Sequence, residues 1–554
     1  MKILIVGGVA GGMSAATRLR RLMEDAEIIV LEKGPYVSFA NCGLPYFIAG
    51  EITNREQLLL QTPESLKARF GLDVRPNQEV LAIHPEQKTV TIRRDSDTYQ
   101  ESYDKLILAP GAKAIVPKIP GLDRAKNCHQ LRNVPDMDAI LKGIDQHTRH
   151  AVVIGAGFIG LEMVESLKII GLAVTVVEKA PQVLPTMDEE MAAYVKNELI
   201  AKGIRVITGQ SATSFEEEGK KIRLEDNTVL DSDLTLLSVG VQPESRLAVE
   251  AGIATGIRGG ILVDETYQTS QKDIYAVGDA IVTKQQLTGE DALISLASPA
   301  NRQGRQVADV IAGLPRKKRG NVGTAILRVF GLTAAMTGLS EQAATAAGLQ
   351  PAVIHVSGKD HAGYYPGAKD LLLKLIFNKE TGTLYGAQAV GQSGVDKRID
   401  VLATAIKSGL TVADLPELEL SYAPPFGSAK DPVNLIGYAA LNLIEGLSES
   451  IQWHELSAEL AAGKQLLDVR NTTEMTGRFK NALHIPLNEL RDRLSELDPT
   501  VSYIVSCHSG LRSYLAERIL KQSGYEAKNL DGAFALYQTV RPEEIIHVSL
   551  DHNA

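Results

Sequence analysis

Two cysteines, far apart and each without a neighbouring thiol, are the residues of this sequence best equipped for chemistry. Cys42 stands alone in Ser38-Phe39-Ala40-Asn41-Cys42-Gly43-Leu44-Pro45-Tyr46-Phe47, and Cys507 stands in Val505-Ser506-Cys507-His508-Ser509-Gly510-Leu511-Arg512-Ser513. A thiol that cannot close an internal disulfide must pair with a sulfur brought from outside. The second segment reads as a strand running into a Cys-x4-Arg loop closed by Arg512. Backbone amides that converge on such a sulfur lower its pKa and stabilise a persulfide. Loops of this build that hold an oxyanion are one residue longer, so this one suits a sulfur atom. The third cysteine, Cys128 beside His129, fits neither setting and reads as a packed thiol.

The elements that must position these thiols are legible around them. An apolar strand, Ile3-Leu4-Ile5-Val6, runs into Gly7-Gly8-Val9-Ala10-Gly11-Gly12, and a second strand, Glu27 to Leu31, ends at Glu32. In a strand-turn-helix of this kind Gly7 permits the tight turn and Gly12 the close helix packing. The amides cradle a pyrophosphate, and Glu32 accepts from a ribose. Val9 stands where the middle glycine is usual. The grammar restarts at Ala151-Val152-Val153-Ile154 with a full match, Gly155-Ala156-Gly157-Phe158-Ile159-Gly160, and its acid is Glu178. A carboxylate there favours the free 2′-hydroxyl of NADH, while Lys179 beside it leaves NADPH open. Glu162, just inside that helix, suits a nicotinamide site. The strand Lys105 to Leu108 closes on Ala109-Pro110-Gly111, and Asp273 to Val277 closes on Gly278-Asp279, which suits a flavin ribityl chain. Two such units predict two dinucleotides, FAD first and the nicotinamide second. Lys33, Ser38, Asn41, Ala10 and Gly240 are further expected cofactor contacts, as are Pro299 and Ala300.

The rest of the chain sets limits. A net charge of −9 argues against a nucleic-acid partner. Only three cysteines in 554 residues exclude a disulfide scaffold and point to a reducing compartment. Lys2 and the uncharged run Ile3 to Thr17 imitate a signal peptide, but the glycines at 7, 8, 11 and 12 break its apolar character. No other stretch is long enough to span a membrane, so a cytoplasmic protein is expected, and no metal site.

With these motifs the chain resembles the single-cysteine branch of the pyridine nucleotide-disulfide oxidoreductases, which holds coenzyme A-disulfide reductases, NADH oxidases and NADH peroxidases. The resemblance covers residues 1–445 and rests chiefly on the segment around Cys42. Dithiol relatives place a second cysteine where this chain has Phe47. Oxidases and peroxidases carry a histidine in the first glycine loop where this chain has Ala10, which favours the coenzyme A-using group. That group sets tyrosines beside the active cysteine. Tyr365, preferred over Tyr364, and Tyr422 fill those places, Tyr422 arriving from the partner of a homodimer. Coenzyme A phosphates are expected to meet Arg18, Arg21, Gln61, Thr62, Lys67 and Arg69, with Ser38 and Asn41 near the thiol. For each basic residue a solvated helix face is an equal alternative.

The C-terminal part resembles a rhodanese domain through Asp468-Val469-Arg470, Ala482 to Leu487 and the Cys507 loop. It departs from the family pattern at Glu474 to Asn481 and at Ala533, which replaces a frequent glycine. The resemblance implies an α/β architecture: a discontinuous FAD domain (1–114 and 243–321), an NAD(P)H domain (115–242), an α+β dimerisation domain (322–445) and a rhodanese domain (453–554), with 446–452 as linker. It also implies NAD(P)H-dependent reduction of coenzyme A persulfide, polysulfide or disulfide through a Cys42–coenzyme A mixed disulfide, with release of hydrogen sulfide. Cys507 would supply sulfane sulfur. The rivals are a coenzyme A-disulfide reductase proper, an NADH oxidase, and a sulfurtransferase with a regulatory flavin part.

Overall fold

In the computed structural model, residues 1–547 are described, so the last stretch of the expected C-terminal module, 548–554, lies outside the described residues. The chain forms two compact units, residues 1–181 with 204–321, and 182–203 with residues from 322 onward.

The first unit holds two parallel sheets of five strands. One has the order Ile274–Ala276, Lys105–Leu108, Lys2–Val6, Glu27–Leu31, Asp73–Arg75. Strand Lys2–Val6 is therefore flanked on both sides by parallel partners, and its central residues Ile3, Leu4 and Ile5 are fully buried. Burial of three such side chains contributes roughly 5–8 kcal/mol relative to exposure, which explains why an unbroken apolar run reads as a central strand. The second sheet repeats the plan with the order Arg205–Thr208, Ala173–Glu178, His150–Ile154, Leu234–Leu237, Cys128–His129. Each first strand feeds a glycine turn and a helix, Ala10–Leu22 in one case and Phe158–Ile169 in the other. The order reverses at these strands, so the crevice for a dinucleotide opens at their carboxyl ends.

The second unit contains a five-stranded antiparallel sheet, Ala325–Val329, Leu332–Gly338, Leu384–Gly391, Asp370–Asn378, Pro351–Lys359, with the helices Val395–Ser408 and Pro432–Ile444 against it. It also contains a five-stranded parallel sheet, Ser450–Ile451, Ala527–Leu530, Tyr503–Ser506, Gln465–Asp468, Leu483–His484. Part of the segment read as a linker is thus an edge strand, pairing Ser450 with Asn529 and Ile451 with Leu530. Helix Glu189–Ala201 follows the Glu178 strand in the chain but belongs to this second unit. Its buried face (Met191, Ala192, Val195, Leu199) packs on elements of both sheets' surroundings, among them helix Ala533–Val540. Among the described residues no helix is long and apolar enough to cross a membrane.

Candidate functional site

The two glycine turns are built alike. Gly7 and Gly155 both have φ +104, and a Cβ on either would stand 2.1 or 2.2 Å from a carbonyl oxygen, of Ala109 or Ser238 respectively. Only glycine fits there. Glu32 and Glu178 also act alike. Glu32 accepts the Gly8 N–H (2.8 Å) and the Gly34 N–H (2.8 Å), and Glu178 accepts the Ala156 N–H (2.7 Å) and the Ala180 N–H (2.8 Å). Each acid latches its glycine turn to the next strand. Sequence reasoning gave them only the ribose.

Both cradles fit the groups their motifs imply. In the second, a Cβ on Gly157 would meet nothing within 4 Å, so the backbone there faces open space that a pyrophosphate can enter. In the first, Ser38 donates its N–H to the Gly8 carbonyl (2.8 Å), which ties the start of the Cys42 segment to the turn. Ala300, on helix Ala297–Ile311, closes over Gly11, its carbonyl oxygen 3.5 Å from where a Cβ would stand. Asp279 has its pKa raised by burial, against the opposing pull of Arg132, whose Nη2 lies 3.7 Å away. A half-buried carboxylate short of donors is what a polyol hydroxyl would satisfy. Arg132 itself keeps a buried Nε without a partner. That residue was not singled out from the sequence, because nothing local marks it.

Cys42 sits in a single turn, Asn41–Gly43, immediately before helix Leu44–Ile48. Its thiol is free and open to solvent, and donates to Asn41 Oδ1 at 3.6 Å. The walls around it still withhold enough water to raise its pKa, and the Glu162 and Asp279 carboxylates add to that while Arg132 opposes it. Glu162 accepts the Tyr46 hydroxyl at 3.1 Å, so the helix of the second cradle is tied to the Cys42 helix. Phe47, on that helix, confirms that the position holds no second thiol. Of the residues expected at coenzyme A, Arg21, Lys67 and Arg69 are exposed, whereas Arg18 donates Nε to the buried Asp309 (2.7 Å). Thr62 caps helix Pro63–Phe70, with Gln61 accepting from Ser65 (2.9 Å).

In the second unit the hydroxyls of Tyr364 and Tyr422 are 2.9 Å apart, and both rings are exposed. Tyr365 instead packs its ring edge against His361, centroids 5.7 Å apart. The structure therefore joins Tyr422 to Tyr364, the alternative that the adjacent proline disfavoured.

The Cys507 loop lies between strand Tyr503–Ser506 and helix Leu511–Gln522. Cys507 is buried, and its sulfur accepts the Gly510 N–H at 3.1 Å and the Ser513 hydroxyl at 3.4 Å. Arg512 forms a two-pronged pair with Glu474 at 2.5 and 2.8 Å and also feels the charge of Cys507. The Arg512 guanidinium holds the Glu474 carboxyl down at about 2. Glu474 was noted from sequence only as a departure. Asp468 and Arg470 form a fully buried pair (2.6 Å) with the guanidinium 3.7 Å above the Phe534 ring, which makes that motif a brace for the module. Cys128 is half-buried and its thiol pKa is pushed up to about 11 by burial, in keeping with a packed, inert thiol.

Comparison with known proteins gives three family matches: pyridine nucleotide-disulphide oxidoreductase over residues 1–304, the dimerisation domain of the same family over 324–432, and a rhodanese-like domain over 452–539. A coenzyme A disulfide reductase of Staphylococcus haemolyticus is 37% identical over 446 residues, 80% of this chain and 100% of that protein. Among solved structures, reduced Bacillus anthracis CoADR-RHD is 52% identical, with a TM-score of 0.97 and 99% of each chain covered. An NAD-dependent persulfide reductase from A. fulgidus is 38% identical, with a TM-score of 0.93, covering 97% of this chain and 100% of that one.

Proposed function

This chain belongs to the pyridine nucleotide-disulphide oxidoreductase family, and we propose that it is an NAD(P)H-dependent reductase of coenzyme A persulfide that also accepts coenzyme A disulfide. The observation that carries this reading is Cys42: an exposed thiol beside a dinucleotide cradle, with Phe47 where a resolving cysteine would stand. The sulfur that completes its disulfide has to come from a mobile thiol. Coenzyme A fits, because its phosphates offer binding energy remote from the reacting bond, and because the Staphylococcus relative is named for its disulfide.

FAD, when bound in the first cradle, supplies the passage of a hydride equivalent from NADH onward as two electrons. Cys42 thiolate attacks the inner sulfur of coenzyme A persulfide; the S–S bond breaks, hydrosulfide leaves, and a Cys42–coenzyme A mixed disulfide forms. Two electrons and one proton then return Cys42 as thiolate and coenzyme A as thiol. The raised pKa of Cys42 places the need for activation on the bound state. Arg132 is the nearby cation in this unit that favours the thiolate. Tyr364, Tyr365 and Tyr422 are exposed, and the dimerisation domain supports a homodimer in which Tyr422, with Tyr364, serves the partner's Cys42. Coenzyme A phosphates would meet Arg21, Lys67 and Arg69, with Arg18 held by Asp309 at the edge. Cys507 takes up sulfane sulfur as a persulfide and passes it to coenzyme A. The expected setting is the cytoplasm.

Anaerobic NADH consumption with coenzyme A persulfide, for the wild type, Cys42→Ser and Cys507→Ser, tests this. Turnover that vanishes without Cys42 and survives without Cys507 agrees with it. Fast turnover on coenzyme A disulfide alone would favour the disulfide-reductase reading, which the Staphylococcus relative supports: all of it matches 80% of this chain.

A further inference from the structure

A buried chain of polar contacts leads from the antiparallel sheet to the Cys507 loop. Asp531 ends strand Ala527–Leu530, and Gly532 and Ala533 turn the chain with φ of +71 and +52 into helix Ala533–Val540. The first N–H groups of that helix hold the sulfur loop's backbone. Phe534 donates to the Cys507 carbonyl (3.1 Å), and Ala535 donates to the His508 carbonyl (2.9 Å). Whatever fixes Asp531 therefore fixes the base of the loop.

What fixes it is His355, on the antiparallel strand Pro351–Lys359. Its backbone N–H donates to Asp531 Oδ1 (3.0 Å), and its Nδ1 lies 2.7 Å from Oδ2. Its Nε2 lies 3.2 Å from Glu190 Oε1, on the helix Glu189–Ala201. The ring is completely enclosed, with a carboxylate at each nitrogen. Gln452 adds a third donor to Asp531 (3.0 Å), and Trp453 Nε1 reaches Glu190 Oε2 at 3.4 Å. Beyond Glu190, Lys374 Nζ sits among Asp188 (3.0 Å), Glu190 and Glu341 (2.8 Å). The ammonium takes the place a metal ion would need in that carboxylate cluster.

We propose that His355, braced by Glu190, is a positioning residue for the sulfur loop: through Asp531 it sets the geometry in which Cys507 receives sulfur. The sheet that carries the dimerisation signature thus fixes the reactivity of the rhodanese-like module. This rests on the reading of Cys507 as a sulfane-sulfur acceptor. In that step the Cys507 thiolate attacks the outer sulfur of a donor persulfide, the donor S–S bond breaks, and the donor leaves as its thiolate.

The test uses the full-length holoenzyme. Alkylation of Cys507 by iodoacetamide, and its loading from glutathione persulfide, are followed by mass spectrometry in the wild type, His355→Asn and Gln452→Ala. We expect both Cys507 rates to fall at least tenfold in His355→Asn and about threefold in Gln452→Ala, with the pH midpoint of alkylation displaced. NADH-dependent reduction of coenzyme A disulfide through Cys42 stays within twofold. Unchanged Cys507 rates and midpoint would overturn the proposal, and so would equal losses at Cys42 and Cys507 that track the melting temperature. If His355→Asn does not fold, Gln452→Ala decides by the same criteria. A wild-type Cys507 that alkylates but takes no sulfur from the persulfide would refute the functional reading, and the alkylation comparison would still judge the positioning.

Discussion

Cys42 and Cys507 meet opposite surroundings. Cys42 is open to solvent at the start of a helix, and its neighbours include two carboxylates that resist ionisation. Cys507 is closed in, its sulfur receives two donors, and its loop is tied at its base through the Cys507 and His508 carbonyls. An open thiol suits exchange with a large mobile disulfide. A closed one suits storage of a single added sulfur atom, which needs donors and little room. On the proposed reading, the difference teaches that sulfur chemistry is divided by access: one site would admit a carrier, the other an atom.

The comparison can be broken most severely at His355. Carboxylates at both ring nitrogens push its pKa up to about 9, against the desolvation that opposes this, with Lys374 a second cation in that buried cluster. A raised folded-state value means the stabilisation is complete below the unfolded value of about 6.5 and is lost as pH rises through about 9. We expect the second unit to lose about 3 kcal/mol over that interval, read as a fall in melting temperature that His355→Asn does not show. Nothing comparable is expected at the Cys42 site.

A smaller effect sharpens the contrast in charge. Glu474 neutralises Arg512 beside the Cys507 loop. In Glu474→Gln the freed guanidinium should speed loading of Cys507 from the dianion thiosulfate about fivefold, equivalent to roughly 1 kcal/mol of surface electrostatics. Loading from a neutral persulfide should change less. Ala533, held at φ +52, costs about 1 kcal/mol that a glycine would not. Ala533→Gly should therefore raise stability by about 0.5–1 kcal/mol in denaturant titration without altering Cys42. The smallest change expected is at the open site. Glu162→Gln removes a carboxylate that disfavours the Cys42 thiolate, so the pH midpoint of Cys42 alkylation moves down.

What was legible in the sequence was local. A strand, a glycine turn and its acid lie within about thirty residues, and the Cys-x4-Arg loop within six, so their chemistry is written in short spacings. The rest depends on partners far apart in the chain. Tyr364 and Tyr422 are 58 residues apart, and Arg512 and Glu474 are 38 apart. His355 finds Asp531 and Glu190 at separations of 176 and 165. No periodicity reports such a pairing. Ala533 was visible as a departure, yet only the backbone angle shows that the residue adopted the glycine's conformation rather than removing the turn.

The helix Glu189–Ala201 also has a history in time. It leaves the ribosome early, but Trp453, which donates to its Glu190, follows 263 residues later. At ~5–20 residues per second that is a wait of roughly 15–50 s. Throughout it the apolar face of Met191, Val195 and Leu199 has no lasting cover from the C-terminal module. The nascent chain thus carries an adhesive surface for nearly half of its synthesis, and its yield in a cell would depend on chaperones that shield such surfaces until the last domain emerges.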